Sequence, residues 1–143
     1  MAYDVSKHFA PGLNNSIQVK NGTGWSYKGN WIQIYDETEV DRFFIGDFIA
    51  AEYTVTVNFN ENTREILKCI VTAATNQASI VTYARTSVGA TKIVNLTATV
   101  NNSFVSVKAT PVIVDGTTYA GCTVAMAPTY HRNTVVGSRN VRA

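Results

Sequence analysis

Cysteine, histidine, proline and long apolar runs are all scarce in this 143-residue chain. No stretch approaches the ~18 consecutive apolar residues that a membrane helix needs, so no membrane-crossing helix is expected. The opening MAYDVSKHFAPG has neither a basic head nor a long apolar stretch, and no signal peptide is expected. The two cysteines, Cys69 and Cys122, lie far apart, which excludes a disulfide framework. Two buried free thiols are expected, with a single disulfide as the alternative that geometry must decide. The two histidines, His8 and His131, belong to no Cys/Asp/Glu cluster with metal-ligand spacing. Gly-x-Ser-x-Gly and a Gly-rich phosphate loop with a lysine are both absent. The carboxylates at 36–41 crowd into one short acidic stretch, read as a solvated turn, which does not suit a paired-acid glycosidase site. These absences together predict no enzyme, no cofactor and no metal.

Charge is also thin. A formal net charge of +2 is too small to imply nucleic acid as a partner. Its distribution says more. Asp36, Glu37, Glu39 and Asp41 cluster, whereas no acidic residue follows Asp115 and Arg132, Arg139 and Arg142 do. The tail is either a solvated basic segment or an arm that docks on an acidic neighbouring surface.

What is present is strand-forming. Thr and Val are abundant while Leu, Glu and Lys are few, a bias toward sheets. AEYTVTVNF (51–59) alternates throughout, with Ala51, Tyr53, Val55, Val57 and Phe59 on one face. REILKCIVTAA (64–74) also fits a helical stripe. Its short flanking turns favour a strand with Leu67, Cys69, Val71 and Ala73 inward. QASIVTYART (77–86) reads as another strand, ended by a turn at Gly89. Residues 94–109 read as a hairpin about Asn101-Asn102, placing Val100 opposite Ser103, Ala98 opposite Val105 and Leu96 opposite Val107. Pro111 ends that strand, Asp115-Gly116 turns, and YAGCTVAMA (119–127) gives a last strand closed by Pro128. Regular short strands without a long helix predict an all-β antiparallel β-sandwich, with a small β-barrel as the competitor. The predicted organisation is an N-terminal arm (1–15), a sandwich (16–128) and a C-terminal arm (129–143).

One aromatic constellation stands out in WSYKGNWIQI and the residue after it. A two-residue turn at Gly29-Asn30 would pair Trp25 with Ile34, Tyr27 with Ile32 and Lys28 with Trp31. Trp25 and Tyr27 would then share the apolar side, and Trp31 and Tyr35 the polar one. These four rings are candidates for stacking on a sugar, against the simpler role of core and interface packing. Candidate interface residues lie in the arms: Phe9, His131, Arg132, Val135, Val136, Arg139 and Arg142. The run at 134–136 suits addition to a neighbour's sheet edge.

The central block DFIAAEYTVTVNFNENTREILKCIVTAATNQASIVTYARTSVGATKIVNLTATVNNSFVSVKATP (47–111) covers about half the chain. Its aromatic-Asp start, Ala-Glu-Tyr strand opening, REILKCIV strand, VTYARTS strand and final NNSFVSVKATP strand resemble a β-sandwich domain of structural proteins in T4-like phages of marine bacteria and cyanobacteria. Some members carry His-Asp-Gly where this chain has Ala74-Thr75-Asn76-Gln77. The resemblance implies a non-enzymatic virion protein, in a tail, neck, baseplate or capsid-decorating position. Its expected partners are copies of itself and other virion proteins, with no nucleic acid and no membrane, and its expected location is the virion. A glycan is the alternative partner, for a carbohydrate-binding module used in host adhesion.

Overall fold

The computed structural model describes the backbone of residues 17–21, 24–28 and 30–134, and the side chains of residues 31–134. The fold is an all-β sandwich of antiparallel sheets. Its strands are β1 (Ile17–Asn21), β2 (Gly24–Lys28), β3 (Asn30–Ile34), β4 (Thr38–Phe44), β5 (Phe48–Asn60) and β6 (Thr63–Ala74). They continue with β7 (Gln77–Val88), β8 (Val94–Asn101), β9 (Phe104–Pro111), β10 (Ile113–Val114), β11 (Thr117–Thr118) and β12 (Cys122–Arg132). One layer has five strands in the order β3-β12-β5-β6-β7, and the other has three, β4-β9-β8. No ladder joins the two layers among the described residues, so the barrel alternative gives way to a sandwich. Two small ribbons, β1-β2 and β10-β11, lie outside both layers.

Alternation places the core where the sequence puts it. Ala51, Tyr53, Val55 and Val57 of β5, and Leu67, Cys69 and Val71 of β6, are buried, with Ile34, Cys122, Val124 and Met126 beside them. Phe43, Val94, Val105, Val107 and Ala109 face them from the three-stranded sheet. Residues 64–74 are strand, so the helical alternative is discarded. Each apolar side chain removed from water here contributes roughly 1.5–3 kcal/mol. Cys69 and Cys122 are buried and unbonded.

Four expectations are corrected. The 25–34 hairpin does not form: β2 pairs with β1, and β3 pairs with β12. The long-range partner wins because Cys122 and Val124 lie opposite Ile34 and Ile32 and extend the apolar inner face. The 94–111 hairpin forms with its turn one residue later, at Asn102-Ser103, both at positive φ (53° and 69°). Val100 therefore faces Val105 instead of Ser103, Ala98 faces Val107 and Leu96 faces Ala109. The partners move by two residues, which keeps every side chain on its expected face and matches apolar with apolar. The strand expected to close at Pro128 continues to Arg132. Beyond Met126, β12 has run past the end of β3, so Pro128 leaves no ladder partner short of an N–H on that side. Finally, the acidic stretch is a bend only at 35–37, and Glu39 and Asp41 belong to β4.

Two bulges then redirect polar side chains. In β4, Glu39 pairs with Lys108 and Asp41 with Val107, leaving Val40 as the extra residue. Residues two apart normally share a face, and the bulge sends Glu39 outward and Asp41 inward. In β7, Tyr83 is the extra residue between partners of Lys68 and Cys69, and Arg85 consequently turns inward.

Candidate functional site

The inward-turned groups are structural locks. Asp41 accepts hydrogen bonds from the hydroxyls of Tyr53 (2.5 Å) and Tyr130 (2.7 Å), tying β4 to β5 and β12. Burial first, and the Asp41 carboxylate second, push the Tyr53 phenol well above its ordinary value. Glu65 is only 3% exposed. Its carboxylate accepts from the Arg85 guanidinium and from the backbone N–H groups of Ile93 and Val94 at 3.3–3.4 Å. The Cys69 and Cys122 thiols are pushed up to about 11 by burial. No group of three or more His, Cys, Asp or Glu residues suited to a metal ion occurs among the described residues.

Surface features are more suggestive of binding. The outermost strand of the large sheet is β7, twelve residues long, paired only with β6 among the described strands. Its one charged residue, Arg85, is turned inward to Glu65. Val81 (56% exposed), Tyr83 (52%) and Val88 (69%) lie open to solvent. On the same outer face, Ile70 stands opposite Val81, and Ile66 is also exposed. Beside Ile66 and Val88 lies a shallow depression of about 210 Å³, floored by Thr56, Thr86 and Ser87. Edge strands of monomeric proteins are usually shielded by outward charges or proline, and β7 has neither.

The predicted site residues divide into three groups. Trp31 (47% exposed) and Tyr35 (65%) are open, and alternation puts both on the outer side of β3, with Gln33 between them. Gln33 donates to the Gly121 carbonyl at 3.0 Å, which steadies this strand against the start of β12. Trp25 and Tyr27 are on β2, which pairs elsewhere, and their side chains lie outside the described residues. The second group is His131 and Arg132, which are not in a free arm. Both are the final residues of β12, and His131 Nε2 lies 2.6 Å from the Glu52 carboxylate. Asn133 is also anchored, donating from its backbone to Asp47 and from its amide to Ile45, both at 2.8 Å. Phe9, Val135, Val136, Arg139 and Arg142 form the third group and lie outside the described residues, as do the N-terminal arm at 1–15 and the tail from 135 onward.

The exposed edge of β7 was missed at the sequence level. Plain alternation in QASIVTYARTSV puts Arg85 on the same face as Val81 and Tyr83, so the sequence suggests a charge-shielded edge; only the extra residue Tyr83 turns that charge inward. A cleft of about 580 Å³ lies at one end of the sandwich between Phe44, Ile49, Thr72 and Asn133. A second, polar cleft of about 620 Å³ lies on the outer face of the three-stranded sheet. No family model matches this chain, and no curated protein matches it either.

Proposed function

We propose that the chain is a structural subunit of a phage particle that works through protein–protein assembly, as a neck, baseplate, fibre-attachment or capsid-decorating component. The observation that carries assembly is the open β7 edge with Val81, Tyr83 and Val88 exposed beside Ile66 and Ile70. Backbone N–H and C=O groups along such an edge accept a further strand, and the flanking apolar side chains add burial. The phage setting rests on the likeness of residues 47–111 to virion β-sandwich domains. The locks at Asp41 and Glu65 suit a rigid body that presents surfaces, and neither carboxylate is free for chemistry.

The test is self-association of the full chain by light scattering, repeated with Val81→Lys/Tyr83→Lys. The pair places two outward charges on the edge. The wild type is expected to form a defined oligomer, and the variant a monomer with an unchanged circular dichroism spectrum. A wild type that stays monomeric at high concentration and alongside its co-purifying proteins refutes the reading. The tail is tested by truncation from Val135, since residues 129–132 belong to β12 and their removal would damage the sheet.

A second reading, a carbohydrate-binding module for host adhesion, is favoured by the exposure of Trp31 and Tyr35 on one side of β3. Aromatic faces of this kind stack on sugar rings. Glycan-array binding that is lost in Trp31→Ala supports this reading, and an array without any signal removes it.

A further inference from the structure

The outer face of the three-stranded sheet is organised in three cross-strand rows. Register aligns Phe44, Phe104 and Asn101 in the first, Arg42, Ser106 and Thr99 in the second, and Glu39, Lys108 and Thr97 in the third. Successive rows are about 7 Å apart, two residues along a strand. The cleft of about 620 Å³ spans these rows and takes in Asn102 of the turn. That size falls within the ~300–1,000 Å³ range of small-ligand sites.

The charges in the cleft are unevenly matched. Glu39 is already engaged: Arg42 Nε donates to its two oxygens at 3.1 and 3.2 Å, and Ser106 Oγ donates to it at 2.5 Å. Arg42 also lies over the Phe104 ring, 5.7 Å from its centroid. Lys108 is the cross-strand neighbour of Glu39, yet Glu39 accepts its hydrogen bonds from Arg42 and Ser106 instead. One ammonium is therefore left over in a cleft also lined by the Thr99 hydroxyl and the Asn101 and Asn102 amides. Phe104 and Phe44, with ring centroids 5.2 Å apart, remain part-exposed at one end.

We propose that this cleft binds an oligosaccharide that carries an acidic group. The amides and the hydroxyl pair with sugar hydroxyls, and Lys108 takes the carboxylate or sulfate. A peptide strand is disfavoured by position. The cleft floor is β9, whose backbone is already paired on both sides, so no ladder is open to a peptide there. This site is on the opposite sheet from Trp31 and Tyr35, and it depends on neither the assembly reading nor the binding role of those rings.

The experiment uses the full chain and three probes in nuclear magnetic resonance titrations: a hyaluronan tetrasaccharide (acidic), chitotetraose (neutral) and a Glu-rich hexapeptide. The acidic sugar is expected to bind about tenfold tighter than the neutral one, as one charge-assisted contact implies. Shifts should centre on residues 97–108. Lys108→Gln should erase that preference and leave the weaker neutral binding intact. Asn101→Ala should weaken both sugars, and Trp31→Ala should change neither. Three results would overturn the proposal: no sugar binding at millimolar concentration, an acidic preference that survives Lys108→Gln, or hexapeptide binding as tight as that of the acidic sugar.

Discussion

Replacing Glu65 with glutamine should strongly destabilise the sandwich. Glu65 sits on β6 in the large sheet, and the backbone N–H groups it holds belong to Ile93 and Val94, where the chain enters the small sheet. The Glu65 side chain has no solvent exposure, whereas that of Arg85 retains 22%. Glutamine keeps the shape and one acceptor oxygen for the backbone donors. It removes the charge that compensates Arg85. Breaking a buried pair on one side costs about 3–5 kcal/mol. The partial exposure of Arg85 lets water compensate some of the loss, which favours the lower end, about 3 kcal/mol. A domain of this size has about 5–15 kcal/mol in total, so the loss is a large fraction of it. With a urea slope of about 2 kcal/mol/M, the midpoint should fall by about 1.5 M at unchanged slope. The double variant Glu65→Gln/Arg85→Met removes both charges and should recover more than half of the loss, giving a coupling energy well above the few tenths of a kcal/mol seen for unconnected sites. A midpoint shift below about 0.5 M in the single variant, or a double variant that merely sums two losses, would refute the ion-paired link.

Three further outcomes follow. Ser103 holds a left-handed φ of 69° at the β8–β9 turn, so Ser103→Gly should raise stability by about 0.5–1 kcal/mol, measured by the same denaturation; a loss would mean that the serine side chain matters in the turn. The buried thiols, both pushed up to about 11 from 9.0, favour the protonated form in the fold. Stability from them is therefore complete below pH 9 and falls as pH rises from there toward 11, by about 2–3 kcal/mol per thiol. Neither cysteine should react with a thiol reagent in the native protein at neutral pH, while both should react after unfolding; fast native labelling would contradict their burial.

Strands whose partners are adjacent in sequence were legible. The 51–59 alternation, the inward set of β6 and the facing of β8 and β9 each rest on a period of two that survives any small error in the turn. The β8–β9 turn shows why. Moving it from Asn101-Asn102 to Asn102-Ser103 shifts the partners by two residues, and two is the period of the strand, so the core is unaffected. Pairing across a long sequence gap was not legible. Gly29-Asn30 is good local turn chemistry, and β3 nonetheless pairs with β12, about ninety residues away. Local propensity gave way there to the apolar match of Ile32 and Ile34 with Val124 and Cys122.

Bulges account for the misread acids of β4 and the unforeseen edge of β7, and they bear directly on binding. Glu39 and Asp41 look equivalent in DETEVDR, two acids in one solvated turn. The extra residue Val40 separates them: one carboxylate lines an outer cleft, and the other holds two tyrosines between the sheets. The extra residue Tyr83 does the same for β7, drawing its one charged residue, Arg85, inward and away from the outer face. A bulge therefore links stability to exposure in β7. The inward arginine completes the buried pair with Glu65, and the same turn of the strand leaves Val81 and Val88 uncovered. Restoring an outward charge at the edge leaves that pair untouched, so Val81→Lys should alter association without altering the urea midpoint. If both move together, the edge is part of the folded core and is not a surface held ready for a partner.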